Sequence, residues 1–215
     1  MHLPILPVAT NPWYLVSAVA FSAGNEPQAI PEVFNYALRE AGGEHDENLL
    51  LARKFRDALF KSGLTSGYAK AINGLEALHE MTIHDNLFES MAAEIFKIAH
   101  TMVVLSFEKR YADTADTVQR LLDTIYPDMG FFSNTIGYGY TYGFIDILSP
   151  LETSYVLVVS LIASDTPRQI NWHLDGARRN GATLEEVKAV RQIAIEAAVA
   201  AGVKWKDGVR EIEDS

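Results

Sequence analysis

The chain of 215 residues contains no cysteine. Disulfides, redox dithiols, thiolate nucleophiles and Cys-ligated zinc all require that side chain, so its absence excludes them together. The composition is compatible with a reducing compartment but does not require one.

Basic residues are scarce as well. The sequence has 18 Lys and Arg against 28 Asp and Glu, which gives a formal net charge of −10 and a pI near 5.0. A surface that follows nucleic-acid phosphates needs clustered Lys and Arg, so we expect no nucleic-acid partner.

Long apolar runs are missing too. The apolar stretch at residues 13–21 lacks a basic flank and is too short to cross a bilayer, so we interpret it as a first core helix. A hydrophobic fraction of 48% with 21% charged residues is ordinary for a soluble globular protein. We therefore expect no membrane partner and a cytoplasmic location, with an organelle left open.

What the sequence does have is helical periodicity. Apolar residues recur at helical spacing, Pro and Gly stand between the periodic segments, and no segment alternates persuasively with period two. The fold class is therefore predicted to be an all-α helical bundle. The first six helices are predicted at about residues 12–23, 31–41, 44–63, 65–79, 85–108 and 118–125.

The rest of the chain is organised around residues 154–190. An apolar helix ends at a break formed by residues 165–167, and a second helix carries His173. Thr183, followed three residues later by Glu186, predicts a capping box at the start of a third helix. His173 is the group in this segment that can exchange a proton near neutral pH.

Three short patterns in this region carry a family resemblance. They are Leu148-Ser-Pro-Leu-Glu-Thr-Ser154, His173-Leu-x-Gly-Ala-x-x-Asn-Gly181 and Thr183-x-Glu-Glu186. In them the chain resembles the carboxymuconolactone decarboxylase and alkyl hydroperoxidase D-like family. It is closer to the cysteine-free decarboxylase branch, because the peroxidase branch has Glu and two Cys where this chain has Ser154, Thr166 and Gln169.

The resemblance implies a bundle of the alkyl hydroperoxidase D-like type, built from two related halves and assembled into a homo-oligomer. It also implies that His173 is the functional histidine. Thiol peroxidase activity is not expected, because the chain offers no thiol nucleophile.

An internal repeat supports two halves. Residues 55–72 align with residues 173–190, and Phe55 then stands where His173 stands. We predict a single domain, 1–215, with a degenerate N-terminal repeat at about 10–110 and a C-terminal repeat at about 130–205. The alternative is that any two helical hairpins with a Gly-x-Thr connector look alike.

An unusual aromatic and glycine-rich stretch covers residues 131–144. One interpretation is a helix in which Gly139 and Gly143 let a neighbouring helix or subunit approach closely. The other is a pocket wall in which hydroxyl and amide groups face a ligand over apolar rings. The polar members of such a wall would be Asn134, Tyr138, Tyr140 and Tyr142.

Four candidate residues lie outside this stretch. His173 could act as general acid or base, or it could be structural. Arg168 could bind a substrate carboxylate, or it could be a solvated residue at a helix start. Glu152 is either a helix cap or a functional carboxylate, and Trp172 is counted among the substrate-binding candidates.

No metal or cofactor is expected. His79 and His84 are five residues apart, which places them on different faces of a continuous helix. No other spacing in the chain suggests a ligand set for a metal ion.

The leading functional hypothesis is a cofactor-independent lyase or isomerase, decarboxylase-like, acting on a small carboxylated, conjugated or lactone-type molecule. His173 would supply the proton, Arg168 would hold the carboxylate, and Asn134 and Tyr140 would stabilise the developing oxyanion. The alternative hypothesis is a non-catalytic protein that binds a metabolite or takes part in an assembly.

Overall fold

A computed structural model of the chain describes residues 11–82 and 115–212. Within these ranges the regular elements are all helical, which confirms the all-α prediction. The helix predicted at residues 85–108, and His84 of the metal hypothesis, lie outside the described residues. Across the described helices, none combines the length and the apolar character that a membrane crossing requires.

The helices follow one another with short connections. In chain order they are α1 (Trp13–Ala23), a 3-10 turn (Pro27–Ala29), α2 (Ile30–Glu40), α3 (His45–Ser66), α4 (Tyr68–Thr82), α5 (Ala115–Ile125), α6 (Pro127–Phe131), a π-helix (Phe132–Tyr142), α7 (Pro150–Ala163), α8 (Pro167–Arg179) and α9 (Leu184–Ala200).

Helix α7 lies at the centre of the bundle, where it packs against α1, α3, α8 and α9. Every residue from Thr153 to Ala163 is buried, which is the behaviour expected of a helix that is apolar on all sides. Pro150 fits the first turn because its missing N–H would have no partner there, and Ser149 caps the helix.

The predicted breaks on either side of α8 and the predicted start of α9 are present in the structure. The connection between α7 and α8 turns at Asp165, whose φ is 53°, and α8 is followed by Gly181 with φ 103°. Thr183 and Glu186 form the predicted capping box at the start of α9. Local capping chemistry therefore determines this part of the fold.

The predicted boundary between α3 and α4 is wrong. Helix α3 continues past Gly63 and Thr65, and the chain breaks at Gly67, whose φ is 117°. Gly63 instead lets the helices approach each other, because a Cβ there would lie 2.8 Å from the Cβ of Ala71. Gly63 and Gly181, equivalent in the repeat alignment, thus occupy different local structures, and the two-repeat organisation stays a prediction.

Candidate functional site

The aromatic and glycine-rich stretch forms a π-helix of eleven residues. The Thr141 hydroxyl donates to the carbonyl oxygen of Ile136, five residues earlier, at 3.0 Å. Gly143 follows the last turn, and a Cβ at this position would lie 2.3 Å from the carbonyl oxygen of Gly139. The close approach at Gly143 is therefore to the backbone of the same segment, and not to a neighbouring helix or subunit. π-Helical geometry is rare, and the single-turn π-bulges in which it mostly occurs are frequently found at functional sites.

His173 is buried on α8, with 5% of its surface exposed. Its Nδ1 lies 2.9 Å from the carbonyl oxygen of Gln169, and its Nε2 lies 3.2 Å from the hydroxyl oxygen of Tyr138. Because a carbonyl oxygen can only accept, Nδ1 carries the proton in this contact. In the neutral ring Nε2 then accepts from the Tyr138 hydroxyl, so both ring nitrogens are bonded inside the protein.

An aromatic cluster continues from this contact. The rings of Tyr138 and Tyr142 pack edge to face with centroids 5.2 Å apart, and Val118, Leu157 and Trp172 pack around them. The structure therefore brings Tyr138, Tyr142 and Trp172 of the predicted site together on the π-helix and α8, with Tyr138 bonded to the imidazole.

Three other predicted site residues lie in different environments. Asn134 and Tyr140 are on the same π-helix but are only partly buried, and the side-chain oxygen of Asn134 is buried without a hydrogen-bond partner. Arg168 is exposed, and its guanidinium carbon lies 5.0 Å from the centre of the Trp172 ring, which is a cation–π contact.

Glu152 has a structural setting. Its carboxylate accepts from the backbone N–H of Ser149 at 2.9 Å, and the Ser149 hydroxyl accepts from the backbone N–H of Glu152 at 3.1 Å. The second carboxylate oxygen accepts a hydrogen bond from the ammonium group of Lys54. Both oxygens thus serve contacts that hold α7 in place, as the capping interpretation expects.

The sequence reasoning missed a group of buried charges, which we call the buried charge cluster: Lys54, Asp57, Lys61 and Glu152. The Lys61 side chain is fully buried, and its Nζ donates to Asp57 at 2.8 Å and to the carbonyl oxygen of Phe144 at 2.7 Å. The signal was present in the sequence, since Lys54 and Lys61 stand two helical turns apart on a face that also carries buried apolar residues.

The surroundings of the buried charge cluster shift two pKa values. Burial raises the pKa of the Asp57 carboxyl, while the Lys61 charge and hydrogen bond and the backbone N–H of Leu148 oppose that rise. Burial, followed by the negative charge of Glu152, raises the pKa of the Tyr14 phenol, whose oxygen has no hydrogen-bond partner. The hydrogen bonds of the buried charge cluster therefore join α3 to α7, and among the charges of the cluster that of Glu152 alone affects the Tyr14 phenol on α1.

No group of three or more His, Asp or Glu side chains suited to a metal ion is found in residues 11–82 and 115–212. Fold and site together define an all-helical protein in which an imidazole joins a packed aromatic cluster.

The comparison with known proteins identifies the family. No family model matches the chain. A protein of Schizosaccharomyces pombe named Peroxisomal protein 2 is 30% identical, with 93% of this chain and 91% of that protein aligned. A protein of the same name from Saccharomyces cerevisiae is 29% identical, over 94% and 93% of the two chains. The chain belongs to the Peroxisomal protein 2 family.

This finding corrects the resemblance to the carboxymuconolactone decarboxylase and alkyl hydroperoxidase D-like family, which is wrong. No model of that family matches, and both relatives carry another name. The lyase assignment, which depended on the resemblance, is withdrawn with it. The physical reason is that two of the three patterns are helix-capping sequences: Ser149 with Glu152, and Thr183 with Glu186, are capping boxes. Such boxes start helices in unrelated proteins.

Proposed function

We propose that the chain is a non-catalytic peroxisomal protein that assembles with a second copy of itself. The name that the two relatives share supports the location. The observation that carries the assembly is a run of exposed apolar side chains between residues 125 and 136, from the end of α5 through α6 to the first part of the π-helix. We call it the apolar surface, and it consists of Ile125, Tyr126, Met129, Phe131, Phe132 and Ile136.

The side chains of the apolar surface are more exposed to water than is usual for large apolar residues. Ile125 is 67% exposed, Phe131 65% and Tyr126 58%. Extended apolar patches of this kind mark interaction sites on soluble proteins, and aromatic side chains and Met are enriched in protein interfaces. Covering these side chains would remove apolar area from water, which is the main driving force of association.

The charge distribution favours a second copy as the occupant. From residue 124 to residue 145 the sequence has one charged residue, Asp128. Because the whole chain carries a net charge of −10, two copies repel each other over most of their surfaces. Repulsion is weakest where a nearly neutral apolar surface meets its own copy, as in a two-fold symmetric contact.

The environment of His173 supports the absence of catalysis. Its two ring nitrogens are hydrogen-bonded to Gln169 and Tyr138, so the imidazole contributes to the packing of α8 against the π-helix. To test this, a small-molecule extract is incubated with the protein and analysed by mass spectrometry. We expect the same composition as with heat-inactivated protein. A compound consumed by the wild type but not by His173→Gln would contradict the proposal.

The assembly is tested by sedimentation velocity with a matched pair of variants. Ile125→Glu places a charge in the apolar surface, and Val199→Glu makes the same type of change on α9 at a side chain that is 58% exposed. We expect the wild type and Val199→Glu to sediment as the same oligomer, and Ile125→Glu to dissociate with an affinity lowered by about 10-fold or more. A monomeric wild type, or equal dissociation of both variants, would refute the assembly.

The location is tested separately by fluorescence microscopy. Versions of the chain tagged at either terminus are expressed together with a peroxisomal marker. We expect at least one version to overlap with the marker. A diffuse signal from both would contradict the location while leaving the assembly result untouched.

A further inference from the structure

A shallow depression of about 170 Å³ lies beside the start of α8. It is lined by Pro167, Arg168, Ile170, Asn171 and Arg210. Two of these five residues are arginines, although acidic residues predominate in the sequence. Arg168 lies in the first turn of α8, and Arg210 lies in the segment after α9.

The segment after α9 is fixed in place by a buried arginine. The guanidinium of Arg191, on α9, donates to the backbone carbonyl oxygen of Arg210 at 2.8 Å and to that of Val209 at 2.6 Å. It also pairs with the Glu211 carboxylate at 2.8 Å. Because Arg191 is only 7% exposed, these bonds hold the backbone of Arg210 rigidly beside α8.

Two further contacts attach the same segment to the last turn of α7 and to the connection that follows it. The indole N–H of Trp205 donates to the carbonyl oxygen of Ile162 at 2.7 Å, and the backbone N–H of Lys206 donates to Asp165 at 3.1 Å. Hydrogen bonds at Trp205, Lys206, Val209 and Arg210 therefore fix the segment that forms one side of the depression.

The side chain of Arg168 is oriented by an aromatic ring. The guanidinium carbon of Arg168 lies 5.0 Å from the centre of the Trp172 ring, and Trp172 packs in turn on the aromatic cluster of Tyr138 and Tyr142. A guanidinium held over a fixed ring loses less side-chain freedom when it binds a ligand than one that moves freely in water.

We propose that this depression binds a small organic oxyanion, a carboxylate or a phosphate, attached to a short apolar group. Arg168 and Arg210 would bind the oxyanion, because guanidinium groups match the planar oxygens of these anions with paired hydrogen bonds. Pro167 and Ile170 would contact the apolar group. The site is independent of the assembly proposed above, since it lies on other residues and needs no second copy.

The test is a titration of the isotope-labelled full chain, followed by the backbone amide signals in NMR. Four probes separate charge from apolar contact: inorganic phosphate, butyrate, butanol and butylammonium. We expect saturable shifts at Ile170, Asn171 and Arg210 with butyrate, with phosphate, or with both, and none with the neutral or the cationic probe. Binding of butyrate alone identifies a carboxylate site, and binding of phosphate alone identifies a phosphate site.

Three variants distinguish the proposed site from general attraction to positive charge. Arg168→Gln and Arg210→Gln should each weaken binding by about 10-fold, the cost of one charged hydrogen-bonding partner. Arg39→Gln is the matched control, because Arg39 is also exposed and lies over an aromatic ring, 5.4 Å from the centre of Tyr36, but outside the depression. It should leave binding unchanged.

Three outcomes would overturn the proposal. They are the absence of saturable shifts with both anions, equal binding of butanol, or equal weakening by Arg39→Gln. All three substitutions are at exposed positions, so thermal unfolding curves should match the wild type and folding defects should not confuse the result.

Discussion

The substitution Lys61→Met tests the role of the buried charge cluster most directly. Lys61 Nζ lies 2.8 Å from Asp57, and its side chain is fully buried while that of Asp57 is 11% exposed. Removing one partner of a buried ion pair typically costs about 3–5 kcal/mol, because the remaining charge stays in a medium that solvates it poorly. That is a large part of the roughly 5–15 kcal/mol by which a domain of ordinary stability is folded.

The stability lost in Lys61→Met should increase with pH. Burial raises the pKa of the folded Asp57 above its ordinary value of 3.8, and Lys61 opposes this rise. A carboxyl with a raised folded pKa stabilises the fold fully below its unfolded pKa, and that contribution is lost as pH increases through the folded pKa. Without Lys61 the folded pKa rises further. The free energy of unfolding of Lys61→Met should therefore be closest to that of the wild type near about pH 4, and the difference should grow towards about pH 8.

The assay is urea unfolding followed by circular dichroism at several pH values between these limits. Lys204→Met is the control, because Lys204 is exposed and its loss should change stability by less than about 0.5 kcal/mol. Adding Asp57→Leu to Lys61→Met should restore much of the loss at high pH, since it removes the uncompensated carboxylate. A Lys61→Met protein as stable as the wild type at about pH 8, or equally destabilised at every pH, would refute the reasoning.

Two further predictions concern local structure. Gly143→Ala should destabilise the fold by about 1–3 kcal/mol, because its methyl group would lie 2.3 Å from the carbonyl oxygen of Gly139. Gly137→Ala, whose methyl would meet no atom closer than 3.8 Å beyond the neighbouring backbone of its own helix, should cost clearly less in the same urea experiment. Thr183→Ala should cost about 1 kcal/mol by removing the capping box with Glu186, and no loss in urea unfolding would contradict that role.

The helical elements could be predicted where their ends depend on nearby residues. Thr183 and Glu186 satisfy each other's backbone N–H groups, and Gly181 takes the positive φ that other residues avoid. The boundary at Gly63 could not be predicted in this way. Its lack of a side chain serves the contact with Ala71 on α4, and only the packed structure reveals that neighbour.

The candidate site was predictable only in part, for a related reason. The aromatic stretch and His173 stand out in the sequence, but the hydrogen bond between Tyr138 and His173 joins residues 35 positions apart. The buried charge cluster is harder still, because Lys61 and Phe144 are 83 positions apart and a lysine on a helix is ordinarily expected to face water.

The π-helix connects the two features on which the functional proposal depends. Its first part exposes Phe132 and Ile136 as members of the apolar surface, and its later part buries Tyr138 and Tyr142 against α8. The hydrogen bond from Tyr138 to His173 therefore attaches a segment with exposed apolar side chains to the helical core. This gives the imidazole a structural role that fits the proposed non-catalytic protein and requires no proton transfer to a substrate.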